Sequence, residues 1–240
     1  VLGQPDDMVT DTAVAFTSEG DTLLVWSVVP DVSDDPGTLI IATTQAELFF
    51  SRQDADSGVW SSPEAVTSDN RPDFAPVIGS DGEGRIILAW ARDMDGNVLT
   101  ADDIVVFASE WVAGGWTVPI PVMPVPGAAS EISISLASGI AVIGVVAEAP
   151  GFGRAINLSF NNLGRWSPVN VIAGGRPGLS DVAVLMDESG LASVAWNELR
   201  PGLDGWRIVA VEATSAGVRG ETIVADGVAV LRQIDKAGLT

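Results

Sequence analysis

The chain has 240 residues, 47% of them hydrophobic, and sets 32 carboxylates against 12 basic residues for a formal net charge of −20. That composition can supply a packed core, and it excludes a disordered acidic tail; its field repels phosphate backbones and anionic headgroups, so nucleic acid is not expected as a partner. Cysteine, histidine and tyrosine are all absent, which excludes disulfides, thiolate or imidazole metal sites, an imidazole general base and a phenolic nucleophile.

In chain order, the first alternating segment is Asp11 to Phe16, followed by a polar glycine turn at Ser18-Glu19-Gly20 and an apolar run closing on tryptophan, Leu23 to Trp26. Period two marks a strand with two distinct faces, and the turn between two such runs marks a hairpin. A third strand is expected over Thr38 to Phe50 and a fourth near Gly58-Val59-Trp60. The same order then returns. Asp73 to Ile78, Ser80-Asp81-Gly82, Ile86 to Trp90, Asp103 to Ser109 and Gly115-Trp116 form a second unit. Glu131 to Leu136, Ser138-Gly139, Val142 to Val146, Ala155 to Phe160 and Gly164-Arg165-Trp166 form a third, in which the tryptophan is lost. Asp181 to Met186, Glu188-Ser189-Gly190, Ala192 to Trp196, Trp206 to Ala213 and Gly217-Val218-Arg219 form a fourth. Asp226 to Gln233 reads as the opening strand of a fifth.

Units of about fifty to sixty residues with four short strands each and no helical-period segment predict an all-β chain, a β-propeller of four-stranded antiparallel blades. The competing fold is a β-sandwich, which does not require the same landmarks in the same order. The expected organisation is a single domain over residues 1–240, with repeats near 8–70, 71–127, 128–177 and 178–225 and a partial one at 226–240. Four blades plus one strand imply a fragment of a larger propeller, or a ring completed by a further chain, since an open strand edge is prone to aggregation. The tryptophans read as packing residues between sheets. No apolar run approaches the roughly 20 residues that span a bilayer; the longest, Ile140 to Ala147, stops at Glu148. Membrane insertion is not expected. A first residue of Val1 in place of Met suits a processed segment of a secreted or cell-surface protein.

Between the third and fourth strands stand Ser51-Arg-Gln-Asp-Ala-Asp-Ser-Gly-Val-Trp60, Ser109-Glu-Trp-Val-Ala-Gly-Gly-Trp116 and Ser159-Phe-Asn-Asn-Leu-Gly-Arg-Trp166. These resemble the Asp-box, Ser-x-Asp-x-Gly-x-x-Trp, of the sialidase-type (BNR/Asp-box) β-propellers, in degenerate form: Trp111 and Asn161 replace the aspartate, and the first copy has two extra residues. The resemblance implies turns that brace the fold. It would imply an exo-glycosidase only with an arginine cluster, a tyrosine nucleophile with its glutamate and an acid/base aspartate. The chain has no tyrosine, and only Arg71, ahead of Pro72-Asp73, sits where the family places an arginine.

In a propeller the first strands line a central channel, so Asp11, Asp73, Glu131 and Asp181, with Asp226 as a possible fifth, are expected at one level as ligand-binding residues together with Arg71. Crowded carboxylates raise one another's pKa unless a cation intervenes. The alternative is that these acids point outward and cap the strand entries. Two acidic loops follow second strands, Pro30 to Pro36 and Asp93 to Asp103. In the second, Asp93, Asp95, Asn97, Asp102 and Asp103 offer hard oxygen ligands to calcium, without the glycine and terminal glutamate of an EF-hand. The functional expectation is a non-catalytic secreted or cell-surface module that binds or scaffolds a glycan, a protein or another copy, with calcium stiffening its loops. The alternative is a glycoside hydrolase with paired carboxylates, for which Asp73, Glu131 and Glu198 are candidates.

Overall fold

Alternation of apolar and polar residues between glycine turns produces antiparallel hairpins throughout. The computed structural model describes residues 7–30, 44–69, 71–98, 100, 103–125, 131–149, 153–200 and 205–227, and among them there is no helix. The chain divides into two compact units, Val1–Pro124 and Val125–Thr240. The fold is an all-β propeller built of antiparallel sheets, two of four strands and two whose broken outer strand brings the number to five, with two sheets in each unit.

In the first unit, β1 (Met8–Phe16), β2 (Thr22–Val29), β3 (Glu47–Gln53) and β4 (Glu64–Ala65) pair in sequence order. The second sheet takes β5 (Asp73–Ser80), β6 (Ile86–Asp93) and β7 (Ile104–Val112), with β8 (Gly115–Trp116) and β9 (Ile120–Val125) both on β7. In the second unit, β10 (Glu131–Ala137), β11 (Ile140–Ala149) and β12 (Gly153–Asn162) carry β13 (Arg165–Trp166) and β14 (Asn170–Gly174) on β12. Its other sheet is β15 (Ser180–Met186), β16 (Ala192–Leu199), β17 (Trp206–Thr214) and β18 (Gly217–Gly227).

Three sheets have a broken outer strand and one does not, and proline accounts for the difference. Pro63, Pro119 and Pro168 follow Trp60, Trp116 and Trp166 at similar offsets, and proline has no N–H to give a ladder. Hydroxyl groups fill the gap. Ser51, Ser109 and Ser159 donate to the carbonyls of Ser61, Thr117 and Ser167 at 2.8, 2.6 and 2.9 Å. The hydroxyls of Ser61, Thr117 and Ser167 in turn accept the N–H groups of Arg52, Glu110 and Phe160 at 3.0, 2.9 and 3.0 Å. In the fourth sheet Val211 and Arg219 hold the corresponding positions and no proline intervenes, so β18 runs unbroken apart from two bulges.

Second strands form the core because their residues are covered on both faces: every residue of β6 is buried. In the first unit Val25, Leu48, Phe50, Leu88, Trp90 and Phe107 pack together, and Trp90 stacks on Phe107 with centroids 6.1 Å apart. In the second unit Trp196 lies among Leu158, Phe160, Val184, Met186 and Val209. Trp90 and Trp196 are fully buried and Trp26 nearly so, in keeping with packing roles worth roughly 1.5–3 kcal/mol per large apolar side chain. First strands meet across sheets through serine side chains. Ser133 and Ser135 of β10 accept the N–H groups of Val184 and Met186 of β15, and Ser80 of β5 donates to the Phe16 carbonyl of β1. A first strand has one unpaired edge, and these hydroxyls satisfy part of it.

Asp226 does not open another unit. It faces Arg207 in β18, the last strand of the fourth sheet, because a chain without proline continues the ladder. Residues 228–240 lie outside the described residues, as do 31–43, which hold most of the first acidic loop and the expected start of the third strand.

Candidate functional site

The first-strand acids do not share one register. Thr12 faces Trp26, which leaves Asp11 one position earlier in a bulge. Asp73 faces Arg92, two residues beyond Trp90. Glu131 faces Val146, the residue in place of the tryptophan, and Asp181 sits in the bulge between Ser180 and Ala183 with φ of 55°. Bulges insert residues into β1, β5 and β15 but not β10, so equal spacing along the sequence does not give equal height along the sheets. Asp11 is exposed and Asp73 wholly buried, which removes Asp73 from a solvent-facing set.

Asp73 and its equivalent in the second unit are the centres of two buried charge networks. Asp73 Oδ1 accepts Trp90 Nε1 at 2.6 Å and Arg92 Nε at 2.7 Å, and its Oδ2 accepts Arg92 Nη2 at 2.7 Å. Arg92 also reaches Asp69 at 2.7 Å and lies over the Phe107 ring at 4.7 Å. Burial pushes the Asp73 carboxyl up, against the pull of the Arg92 guanidinium. In the second unit Glu198, likewise wholly buried, accepts Trp196 Nε1 at 2.9 Å, Arg207 Nε at 2.7 Å and Arg176 Nη1 at 3.3 Å. Both networks use the position two residues past the tryptophan, which points to the same face of the strand. One places arginine there and takes the acid from β5; the other places the acid there and takes arginine from β17.

Arg71 is exposed. Its counterpart is Arg176, which also precedes a proline, and it is Arg176 that reaches a buried carboxylate and Glu221 as well. Arg92, Arg176, Arg207 and Asn197 were not singled out from the sequence. The recurring Arg-Pro pair, with Pro72 and Pro177 accepting the N–H of Asp93 and Leu199, is the signal that marks Arg176.

Glu131 and Asp181 are brought together. The Glu131 carboxylate accepts the N–H groups of Asp181 and Val182, and burial followed by the charge of Asp181 raises its pKa. Asp181 Oδ2 accepts Asn197 Nδ2 at 2.8 Å and Ser180 Oγ at 3.0 Å. Asn197 is buried, and its Oδ1 has no hydrogen-bond partner. Arg154, facing Glu148 across β11 and β12, contributes positive charge toward Glu131. Two partly exposed carboxylates, one of them raised, thus stand beside an unsatisfied amide oxygen. Such a pair can divide proton donation and nucleophilic or basic work between its members.

The loop between β6 and β7 gathers Asp93, Asp95 and Asp103, whose ligand atoms lie within 4.8 Å of one another. Burial raises the pKa of Asp93, and its acidic neighbours Asp103 and Asp95 add to the effect. Asn97 serves the loop through its backbone, its N–H donating to Asp95 Oδ1 at 2.7 Å and its carbonyl accepting Thr100 Oγ1 at 2.9 Å. Asp102 lies outside the described residues. A second group of acids that could hold a cation is Glu47, Asp69 and Asp73, where Arg92 already supplies positive charge.

No protein-family model and no curated protein matches this chain. Among solved structures, a GH93 α-L-arabinofuranosidase of Fusarium graminearum with arabinobiose is similar at a TM-score of 0.59 and 11% identity, over 93% of this chain and 69% of that one. The Hadza microbial sialidase Hz136 is similar at 0.58 and 13%, over 90% of this chain and 46% of its own length. Zg3597, a family 117 glycoside hydrolase of the marine bacterium Zobellia galactanivorans, is similar at 0.53 and 11%, over 93% and 71%. At these identities the likeness is one of fold, that of the sialidase-type propellers.

Proposed function

We propose that the chain is a carbohydrate-active propeller of the glycoside hydrolase type, in which Glu131 and Asp181 are the working carboxylates. The observation that carries this reading is the side-by-side placement of the two acids on first strands β10 and β15, with Glu131 raised by burial and by Asp181. A protonated Glu131 donates to the departing glycosidic oxygen, and Asp181, oriented by Ser180 and Asn197, serves as the second carboxylate. The substrate class that the fold likeness supports is a furanoside or sialoside glycan, with Arg154 the nearby cation. Of the ligand-binding residues expected along the first strands, this reading keeps Glu131 and Asp181 and leaves Asp11 and Arg71 as outlying contacts. Calcium is the cofactor we associate with it, and a secreted or cell-surface setting belongs to the same reading. The turns at Ser51, Ser109 and Ser159 are Asp-box-like braces in this reading.

The test is turnover of aryl α-L-arabinofuranosides and sialosides by the native chain, Glu131→Gln and Asp181→Asn. A loss of at least about a hundredfold in both variants, with the fold retained, supports the assignment. Absence of turnover by the native chain, or equal turnover by all three, overturns it.

A second reading has its own support: Asp73 and Glu198, both wholly buried, are neutralised by arginines, and histidine and tyrosine are absent. This is the non-catalytic module that binds a glycan or protein partner, or a further chain that completes the propeller. Glycan binding without turnover distinguishes it.

A further inference from the structure

We infer that the loop joining β6 to β7 is a binding site for one divalent cation of the size and hardness of calcium, held by Asp93, Asp95 and Asp103. This goes beyond the sugar chemistry and does not depend on it. Asp93 is 0% exposed. Its Oδ1 accepts the N–H of Gly96 at 2.7 Å, while its Oδ2 is buried without any hydrogen-bond partner. Asp103 repeats the arrangement, with Oδ2 accepting the N–H of Asp95 at 2.6 Å and Oδ1 buried and unpartnered. Two carboxylates on one short loop therefore each present an unsatisfied oxygen, and Asp95 brings a third acid into the same small space.

Buried polar atoms are almost always partnered, and a buried charge is tolerated only beside a countercharge. No arginine supplies one here among the described residues. Arg92 is the neighbouring residue, but alternation turns it to the other face of β6, where Asp73 and Asp69 hold it. A cation bound between the two carboxylates satisfies both orphaned oxygens at once.

The number and kind of ligands favour calcium. Calcium is commonly held by several carboxylates in flexible geometry, whereas magnesium dehydrates reluctantly and is usually bound through one or two carboxylates with several waters. A cluster of three carboxylates whose ligand atoms lie within 4.8 Å of one another suits the former. Three carboxylates leave the other coordination positions to water or backbone carbonyls. Because the Asp93 N–H also donates to the Pro72 carbonyl at 3.0 Å, the ion would tie the loop to the strand end beside Arg92 and to the entry of β5.

The experiment is calorimetric titration of the chelator-treated chain with calcium chloride and with magnesium chloride, paired with thermal unfolding in each salt. One calcium site with Kd on the order of 10⁻³ M or tighter is expected, with a calcium-dependent rise in Tm and at least about tenfold weaker magnesium binding. Asp93→Asn and Asp103→Asn should each lose about tenfold or more in calcium affinity without a fall in Tm in chelator, because each also removes an unpaired buried charge. Should either buried variant fail to fold, Asp95→Asn at its exposed position reads the same loss. No heat and no Tm shift with calcium up to about 10 mM, or native affinity in the folded variants, overturns the proposal. No sugar substrate enters the measurement, so its outcome is separate from that of the hydrolase reading.

Discussion

Trp196 donates its indole N–H to Glu198 Oε2 at 2.9 Å from two positions earlier on the same strand, so one side chain caps the core and orients a buried charge. Trp90 does the equivalent for Asp73 at 2.6 Å, reaching across to the neighbouring strand. Trp90 and Trp196 are thus packing residues whose polar edges each meet a wholly buried acid.

Removing one partner of such a pair leaves the other charge buried and alone. Asp73→Ala is expected to lower unfolding stability by about 3–5 kcal/mol, measured by urea denaturation at pH 7. The double replacement Asp73→Leu with Arg92→Leu should recover much of that loss, because both charges then go. A single variant within about 1 kcal/mol of the native chain would show that the pair is not held as described.

Glu131 sets the direction of one pH dependence. Its folded pKa lies above the ordinary glutamate value of 4.5, so its contribution to stability is complete below that value and is lost as pH rises through the elevated folded pKa. Glu131→Gln should therefore unfold at higher urea than the native chain at pH 7 and show no such advantage near pH 3.5. A variant that is less stable at pH 7 contradicts the crowding of Glu131 by Asp181.

Glu221 gives the opposite sign. Its hydrogen bond from Arg176 lowers its folded pKa below 4.5, so its contribution is present above 4.5 and fades as pH falls through the lowered folded value. Glu221→Gln should lower the urea midpoint at pH 7 and converge with the native chain in acid. The effect is small, since the carboxylate is 41% exposed and solvent screens the pair.

Ser159 Oγ donates to the Ser167 carbonyl, and Ser167 Oγ accepts the Phe160 N–H, where Pro168 interrupts the ladder. Ser167→Ala removes the acceptor of the Phe160 N–H and is expected to cost about 1 kcal/mol. Hydrogen exchange at Phe160 is the specific readout, and it should accelerate.

Gly144 occupies a close approach between sheets in the second unit. A Cβ there would lie 2.7 Å from Val184 Cγ1 and 3.2 Å from Val182 Cγ2, and valine side chains are stiff. Gly144→Ala should destabilise by about 1–3 kcal/mol through overpacking, read as a fall in Tm. An unchanged Tm would mean that β11 and β15 are not in contact there.

The repeat determined most of the architecture without coordinates. Alternation, glycine turns and runs ending at Trp26, Trp90 and Trp196 are local signals, since side chains alternate across a strand and turns need particular residues. They located the hairpins and assigned the tryptophans to the core. The proximity of Asp93, Asp95 and Asp103 was likewise legible, because residues at the two ends of one short loop cannot be far apart.

Only the tertiary structure decided which acids meet. Asp11, Asp73, Glu131 and Asp181 look equivalent in the chain, yet bulges in three first strands and none in β10 shift their heights. Asp73 is consequently drawn against Arg92, and Glu131 against Asp181. Partners such as Arg176 and Glu198 come from different strands, and pairing across strands depends on register, which a shift of one residue reverses. Local pattern specifies the elements; the balance between burying a charge and finding it a countercharge is settled only when strands distant in sequence lie side by side.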